Sequence, residues 1–145
     1  MIILDTCVIS ETMRPRPSKS VLRWIEGLPE SEVYLPTLVL GEIRHGINRL
    51  DAGEKKVALD RWLEQLRVRF HRRILAIDEE AALAWGALSA RLETSGKPMP
   101  LMDGLIAAVA ERHGAVFATR NTDDFAAAGI QTVNPWQDPI RPLNR

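Results

Sequence analysis

The sequence predicts an α/β fold, a three-layer sandwich in which a central parallel sheet of about five strands carries helices on both faces. Three observations predict it. The chain opens on Met1-Ile2-Ile3-Leu4, a run without polar alternation that stops at Asp5, and a second such run, Ala115-Val116-Phe117-Ala118-Thr119, stands near the other end. Apolar runs of this kind mark strands buried on both faces, as in parallel sheets. Between them, short strand-like runs alternate with longer segments of helical periodicity, the pattern of strand–helix–strand crossovers. Acidic residues follow directly on the strand-like runs, at the edge where open parallel sheets collect their ligand chemistry.

Each element has its own justification. After Asp5 the apolar pattern changes, and Arg14-Pro15-Arg16-Pro17 reads as an extended loop. Ser18 is placed to cap a helix that carries Val21, Leu22, Trp24 and Ile25 and stops at Gly27 and Pro29. Val33-Tyr34-Leu35 is a second strand. A long helix starts at Pro36-Thr37 and runs to about Leu50, with Val39, Ile43, Gly46 or Ile47, and Leu50 as its inner stripe. Glu42 lies beside that stripe, next to Val39 and Gly46. Gly53 separates it from a helix whose apolar positions are Val57, Trp62, Leu63, Leu66 and Phe70.

Arg73-Ile74-Leu75-Ala76-Ile77 is a third strand. Asp78-Glu79-Glu80 then has the form of an N-cap with acids in the first turn, where the helix dipole favours them. That helix runs through Trp85 and Leu88 to about Glu93, and residues 96–100 form a loop. From Met102 to Ala110 the chain is apolar nearly all round, as a helix buried between other elements must be. Asp103 stands in its first turn and His113-Gly114 ends it. The fourth strand, residues 115–119, is followed at once by Arg120-Asn121-Thr122-Asp123-Asp124-Phe125. A short fifth strand, Gln131-Thr132-Val133, leads to Asn134-Pro135-Trp136 and a polar tail.

Composition sets bounds on function. A chain of 145 residues fits one domain, here 1–145, and can bury a real core. Equal numbers of acidic and basic residues, 19 each, give none of the net positive charge of a dedicated nucleic-acid binder. Four of the basic residues are lysine and the rest arginine, which suits bidentate contact with phosphate or carboxylate, although a solvated arginine-rich surface explains the same count. A single cysteine, Cys7, makes no internal disulfide, so a reducing cytoplasm is expected. No apolar run approaches the ~18 residues of a membrane span, and no secretory signal is expected at the N-terminus.

The acids carry the chemistry. Asp5 ends the first strand, Asp103 starts a buried helix, Asp123 and Asp124 follow the fourth strand, and Glu42 comes from the inner side of a helix. Each also has a purely structural reading: Asp5 and Asp124 as caps of the next turn, Asp103 as an N-cap, Glu42 as a solvated helix position. Together they are a carboxylate cluster without a basic partner, in which like charge and burial raise the pKa values. A hard divalent cation relieves that repulsion, and Mg²⁺ and Mn²⁺ take oxygen ligands and substrate phosphate. The pattern points to metal-assisted hydrolysis of a phosphoester.

Four blocks then resemble a known family. Ile3-Leu4-Asp5-Thr6, Glu42-Ile43-Arg44-His45-Gly46, Met102-Asp103-Gly104-Leu105-Ile106-Ala107-Ala108, and Thr119-Arg120-Asn121 with Asp124-Phe125 are similar to the PIN-domain ribonucleases of the VapC toxin family, in its FitB-like branch. Asn134-Pro135-Trp136 is similar to the end of FitB-like chains. The resemblance implies an Mg²⁺- or Mn²⁺-dependent endoribonuclease, the toxin of a type II toxin–antitoxin system, acting on RNA. It implies a homodimer and a VapB-type antitoxin whose disordered C-terminal segment folds along the toxin's helices. Carried over by residue, Asp5 and Asp103 match the metal-binding aspartates and Glu42 the catalytic glutamate. Gly46, one turn after Glu42, is expected to let that helix approach the sheet, and Thr6 and Thr119 match hydroxyl residues that support the pocket. Cys7 stands where the family most often has Asn, and Asn121 stands where FitB-like chains often have a fourth acid. Asp124 is therefore the candidate for that acid, ahead of Asp123.

Other readings fit less of the chain. A non-catalytic PIN-like module that binds nucleic acid or protein is the main alternative. A nucleotide-binding fold lacks its phosphate loop, since neither G-x-G-x-x-G nor G-x-x-x-x-G-K-[ST] occurs. A receiver-like pair of Asp5 and Asp78 leaves Glu42 and Asp103 unexplained. Glu42-x-x-His45 has the local form of a di-iron ligand pair, without the second copy that such a site needs. Cys7 has no histidine placed to activate it. Arg14, Arg16, Lys19, Arg23 and Arg120 are candidates for guiding RNA phosphate. Replacing Asp5 or Asp103 by Asn is expected to abolish hydrolysis and to keep or raise stability.

Overall fold

The computed structural model describes residues 1–138, and the polar tail expected after Trp136 lies outside them from residue 139 onward. Five parallel strands form one sheet in the order β3-β2-β1-β4-β5, with β1 Ile2–Leu4, β2 Val33–Pro36, β3 Ile74–Leu75, β4 Val116–Ala118 and β5 Thr132–Val133. β1 sits in the centre, with Ile2 level with Val33 on one side and with Val116 on the other. Alternation along the strands divides the core in two. Ile2, Leu4, Val33, Leu35 and Ala118 face one apolar cluster, and Ile3 and Phe117 face the other.

Seven α-helices cover both faces among the described residues: α1 Thr6–Glu11, α2 Lys19–Glu26, α3 Thr37–Asn48, α4 Glu54–Arg69, α5 Glu79–Thr94, α6 Leu101–His113 and α7 Thr122–Ala126. Helices α1 to α4 supply Val8, Trp24, Val39, Ile43 and Leu63 to the first cluster, and α5 to α7 supply Leu88, Ile106, Val109 and Phe125 to the second. This is the three-layer α/β sandwich that the sequence predicts. None of these helices is long and apolar enough to cross a membrane. The connections wind outward from β1 through β2 to β3, then return to β4 and β5 on the other side. The strand order therefore reverses between β1 and β4, the place where an open parallel sheet leaves a crevice at its carboxyl edge.

Several local expectations hold for stated reasons. Ser18 Oγ accepts from the Val21 N–H, and Asp78 Oδ1 accepts from the Ala81 N–H, so both cap their helices. Gly114 ends α6 in the left-handed region, at φ 57°, which a glycine enters without strain.

Others are corrected. The segment after Asp5 is itself a helix, α1, and the Arg14-Pro15-Arg16-Pro17 stretch enters as turns and bends rather than as one extended strand of loop. The buried stripe of α3 is Val39, Ile43 and Ile47; Gly46 is exposed, and a Cβ there would meet nothing within 4 Å. The close approach belongs to Gly104 instead, where a Cβ would lie 3.2 Å from Nε1 of Trp85 on α5. Val57 is 56% exposed, because the first turns of α4 extend past the core that Leu63 and Leu66 enter.

Candidate active site

The floor of the site is built at the two central strands. Asp5 leaves β1, is 9% exposed, and is the N-cap of α1: its Oδ1 accepts the Thr6 N–H at 2.8 Å. Its Oδ2 accepts the hydroxyl of Thr119 at 2.6 Å and faces the Cys7 thiol at 3.5 Å. Thr119 directly follows β4 and is fully buried. Its Oγ1 also accepts the Asn121 N–H at 3.0 Å, so the hydroxyl proton is directed at Asp5. The Asp5 N–H donates to Ala118 O at 2.9 Å, which ties the floor to the sheet ladder. Asp5 is thus both a cap and a member of the cluster, and the two readings do not compete.

The walls come from helices. Glu42 lies on α3, half-buried, and its Oε1 accepts the Thr6 hydroxyl at 3.0 Å. Burial first, then the charges of Asp5 and Asp103, push its carboxyl above the ordinary value against the lowering effect of the Thr6 hydrogen bond. Asp103 stands in the first turn of α6, whose N-cap is Pro100, and its side chain makes no cap hydrogen bond. Its carboxyl is raised as well, by burial and then by the charges of Asp5 and Asp124. Asp124 is exposed in the first turn of α7, whose N-cap Asn121 makes no side-chain cap hydrogen bond. It is the acid of its pair whose charge reaches Asp103; Asp123 is exposed. Asn121 supports the floor through its backbone, since its N–H serves Thr119 and its carbonyl accepts the Asp124 N–H.

None of Asp5, Glu42, Asp103 and Asp124 forms an ion pair among the described residues. Nor, among the described residues, are three His, Cys, Asp or Glu side chains gathered closely enough to form a metal cage. That spacing is the wrong form for zinc, which is held by four protein ligands in structural sites and by three in catalytic ones. It fits a hard ion that keeps several waters and touches one or two carboxylates. Cys7 adds no soft ligand: burial, then the Asp5 charge, push its thiol up, which keeps it protonated and also speaks against a cysteine nucleophile.

The basic candidates divide. Arg14, Arg16, Lys19, Arg23 and Arg120 are all exposed. Arg14 is paired with Glu11 at 3.4 Å, whereas the guanidinium of Arg120 lies over the Trp136 ring. Glu11, which the sequence did not single out, is 4% exposed and accepts the Ser18 N–H at 2.8 Å, locking the turn from α1 into α2. A cleft of about 500 Å³ opens beside Glu42 and Thr6, walled by Ile43, Ile47, Leu59 and Trp62, with Lys55 and Arg14 also lining it.

Comparison with known proteins places the fold. The family model "PIN domain" matches residues 2–130. The chain is 41% identical over 139 residues to toxin FitB of Neisseria gonorrhoeae, covering 95% of this chain and 100% of that one. It is 38% identical over 138 residues to VapC ribonuclease Y4jK of Sinorhizobium fredii, covering 94% and 99%. Its fold is similar to the crystal structure of FitAcB from Neisseria gonorrhoeae, with a TM-score of 0.90 at 40% identity, covering 94% of this chain and 99% of that chain. With its sheet order, its acidic edge and these matches taken together, the chain belongs to the PIN domain family.

Proposed function

We propose that the chain, as a single PIN domain over 1–145, is a metal-dependent endoribonuclease and the toxin of a type II toxin–antitoxin pair. One observation carries the reading: Asp5, Glu42, Asp103 and Asp124 come from four elements near the reversal between β1 and β4, the charges of neighbouring acids raise Glu42 and Asp103, and none of the four is in an ion pair among the described residues. Near-full-length relatives named a toxin and a ribonuclease support it. In this reading Asp5 and Asp103 hold Mg²⁺ or Mn²⁺, which when bound polarises a phosphoryl oxygen and lowers the pKa of a water. The Thr6 N–H and the Thr119 hydroxyl keep the Asp5 carboxylate in one orientation. The Thr6 hydroxyl orients Glu42. Glu42, so oriented, would help hold the ion or its water. Asp124 completes the wall as the fourth acid.

The same reading implies RNA as substrate, a homodimer in the cytoplasm, and a VapB-type antitoxin. Two apolar clefts on the α1–α4 side are suited to a partner's amphipathic segment: the one beside Glu42, and another of about 490 Å³ lined by Ile9, Leu22, Ile25, Trp62 and Phe70. The test is cleavage of a fluorescent single-stranded RNA by antitoxin-free protein in Mg²⁺, Mn²⁺ and EDTA. Cutting that needs the ion and is lost in Asp103→Asn supports the nuclease. Absence of cutting in every ion, from protein whose melting temperature Mn²⁺ raises, would leave a PIN fold kept for binding and overturn the catalytic reading.

A further inference from the structure

Arg120 follows Thr119, the residue that holds Asp5, so its main chain continues the site floor. Its side chain does not turn back onto the acids. The guanidinium sits 3.9 Å from the centroid of the Trp136 ring. Trp136 is itself fixed. Its N–H donates to Asn134 Oδ1 at 3.0 Å, the Asn134 N–H donates to Asp138 Oδ2 at 2.7 Å, and its ring packs on the α1–α4 core. The Ser20 hydroxyl donates to Pro135 O at 2.8 Å, which clamps this segment against the first turn of α2, beside exposed Lys19.

Two physical points follow. An arginine at the edge of a carboxylate cluster is attracted to it; the stack on Trp136 holds this guanidinium away from the acids, none of which pairs with it among the described residues. Stacking also uses only the face of the guanidinium, so its in-plane N–H donors are not consumed by the ring. No carboxylate pairs with Arg120 among the described residues, and residues 139–145 contain no Asp or Glu. A stacked, exposed guanidinium beside an acidic centre, unpaired among the described residues, is a binding group for an anion that spans both.

We infer that Arg120, held by Trp136 and the Ser20–Pro135 clamp, is a subsite for a backbone phosphate of single-stranded RNA next to the bond that is cut. The inference rests on the ribonuclease reading and deepens it. Because a phosphate carries no sequence, the subsite positions the strand and does not choose it.

The test compares wild type with Arg120→Ala, Arg120→Lys and Trp136→Phe, on a fluorescein-labelled single-stranded RNA. Binding is read by anisotropy in EDTA over a series of salt concentrations, and cutting is read in Mn²⁺. Arg120→Ala is expected to raise KM about tenfold with kcat nearly unchanged, and to flatten the log–log salt slope of binding by about 0.7, the loss of one phosphate contact. The weakening is the same for RNAs of different sequence. Arg120→Lys keeps the charge and loses the planar stack, so it falls between the two, as does Trp136→Phe. An unchanged KM and salt slope in Arg120→Ala, in protein that melts like wild type, overturns the subsite; so does a fall in kcat at constant KM. A wild type that binds RNA but cuts none removes the nuclease reading, while the EDTA binding series still decides the subsite.

Discussion

Asp5 ends a strand in the middle of the sheet and has a donor on each carboxylate oxygen, whereas Asp103 rides on the first turn of α6 and has none among the described residues. The floor of the site is therefore set by hydrogen bonds that also hold the fold together. The wall is set by where whole helices pack. The same substitution should act differently at the two places. Asp103→Asn removes a carboxylate whose pKa is raised by burial and by like charge, so the protein should be as stable or more so. Asp5→Asn has one oxygen to meet two donors and places an amide against one of them. It should cost about 1–2 kcal/mol, the size of a lost cap or a charged hydrogen bond. This revises the expectation from sequence that both variants keep or raise stability. Activity does not separate them: each should lose roughly a thousandfold, since several kcal/mol of ion-dependent stabilisation at ~1.4 kcal/mol per factor of ten disappears. Denaturation curves beside RNA cleavage rates check both statements. Equal destabilisation of the two variants would break the contrast.

Thr119→Val sharpens it by touching the floor without touching an acid. The shape is kept, but Asp5 Oδ2 loses its shortest donor and the Asn121 N–H loses its acceptor. The expected result is about 10–100-fold slower cleavage, as for residues that orient metal ligands. The expected stability loss is about 1–3 kcal/mol for the groups left unpaired. Wild-type kinetics in Thr119→Val would mean that Asp5 is oriented by the Thr6 N–H alone.

The walls should also respond to pH in the absence of metal. Glu42 and Asp103 hold their protons more tightly folded than unfolded. The folded chain then binds more protons than the unfolded one in the range from the ordinary carboxylate values up to the raised ones. Stability must fall as pH rises through that range. Urea midpoints of the metal-free protein should show this fall, smaller in Asp103→Asn. An identical pH profile for the two proteins would mean that Asp103 is not held in the raised state. Mn²⁺ should flatten the fall, because an ion favours the deprotonated form.

How much of this the sequence disclosed depends on the range of the interactions. The strands and most helices announce themselves by local pattern, and the acids are legible because each stands directly after a strand or at a fixed point on a helix. α1 was not, because Thr6, Val8 and Ile9 are β-branched and favour strands when judged locally; the Asp5 cap and burial of Val8 and Ile9 decide the matter. The Thr119–Asp5 bond joins residues 114 positions apart, and no local pattern records it as a distance. Glu11 is buried by a partner across a loop, Ser18, for the same reason. Arg120 was one of five basic candidates, and only the position of Trp136 sets it apart from them.

The two helical glycines near the walls give the smallest effects and separate helix placement from helix propensity. Gly46 on α3 is exposed with no neighbour for a Cβ, so Gly46→Ala should stabilise the protein by up to ~1 kcal/mol through propensity alone. RNA cleavage should be unchanged, because Glu42 one turn earlier does not move. Gly104 is beside Asp103, and there the same gain meets the indole of Trp85, with Nε1 at 3.2 Å and Cδ1 at 3.3 Å from the new methyl. A rigid ring on α5 has no flexible end to yield, so α5 and α6 must shift by a few tenths of an ångström, at an overpacking cost of about 1–3 kcal/mol. Gly104→Ala should come out neutral to ~2 kcal/mol less stable and should slow cleavage, because Asp103 is carried along with α6 while Asp5 stays where its hydrogen bonds hold it. Thermal melts and cleavage rates of the pair decide it. If Gly104→Ala kept full activity, the wall acid would tolerate displacement, and precise placement would be a property of the floor alone.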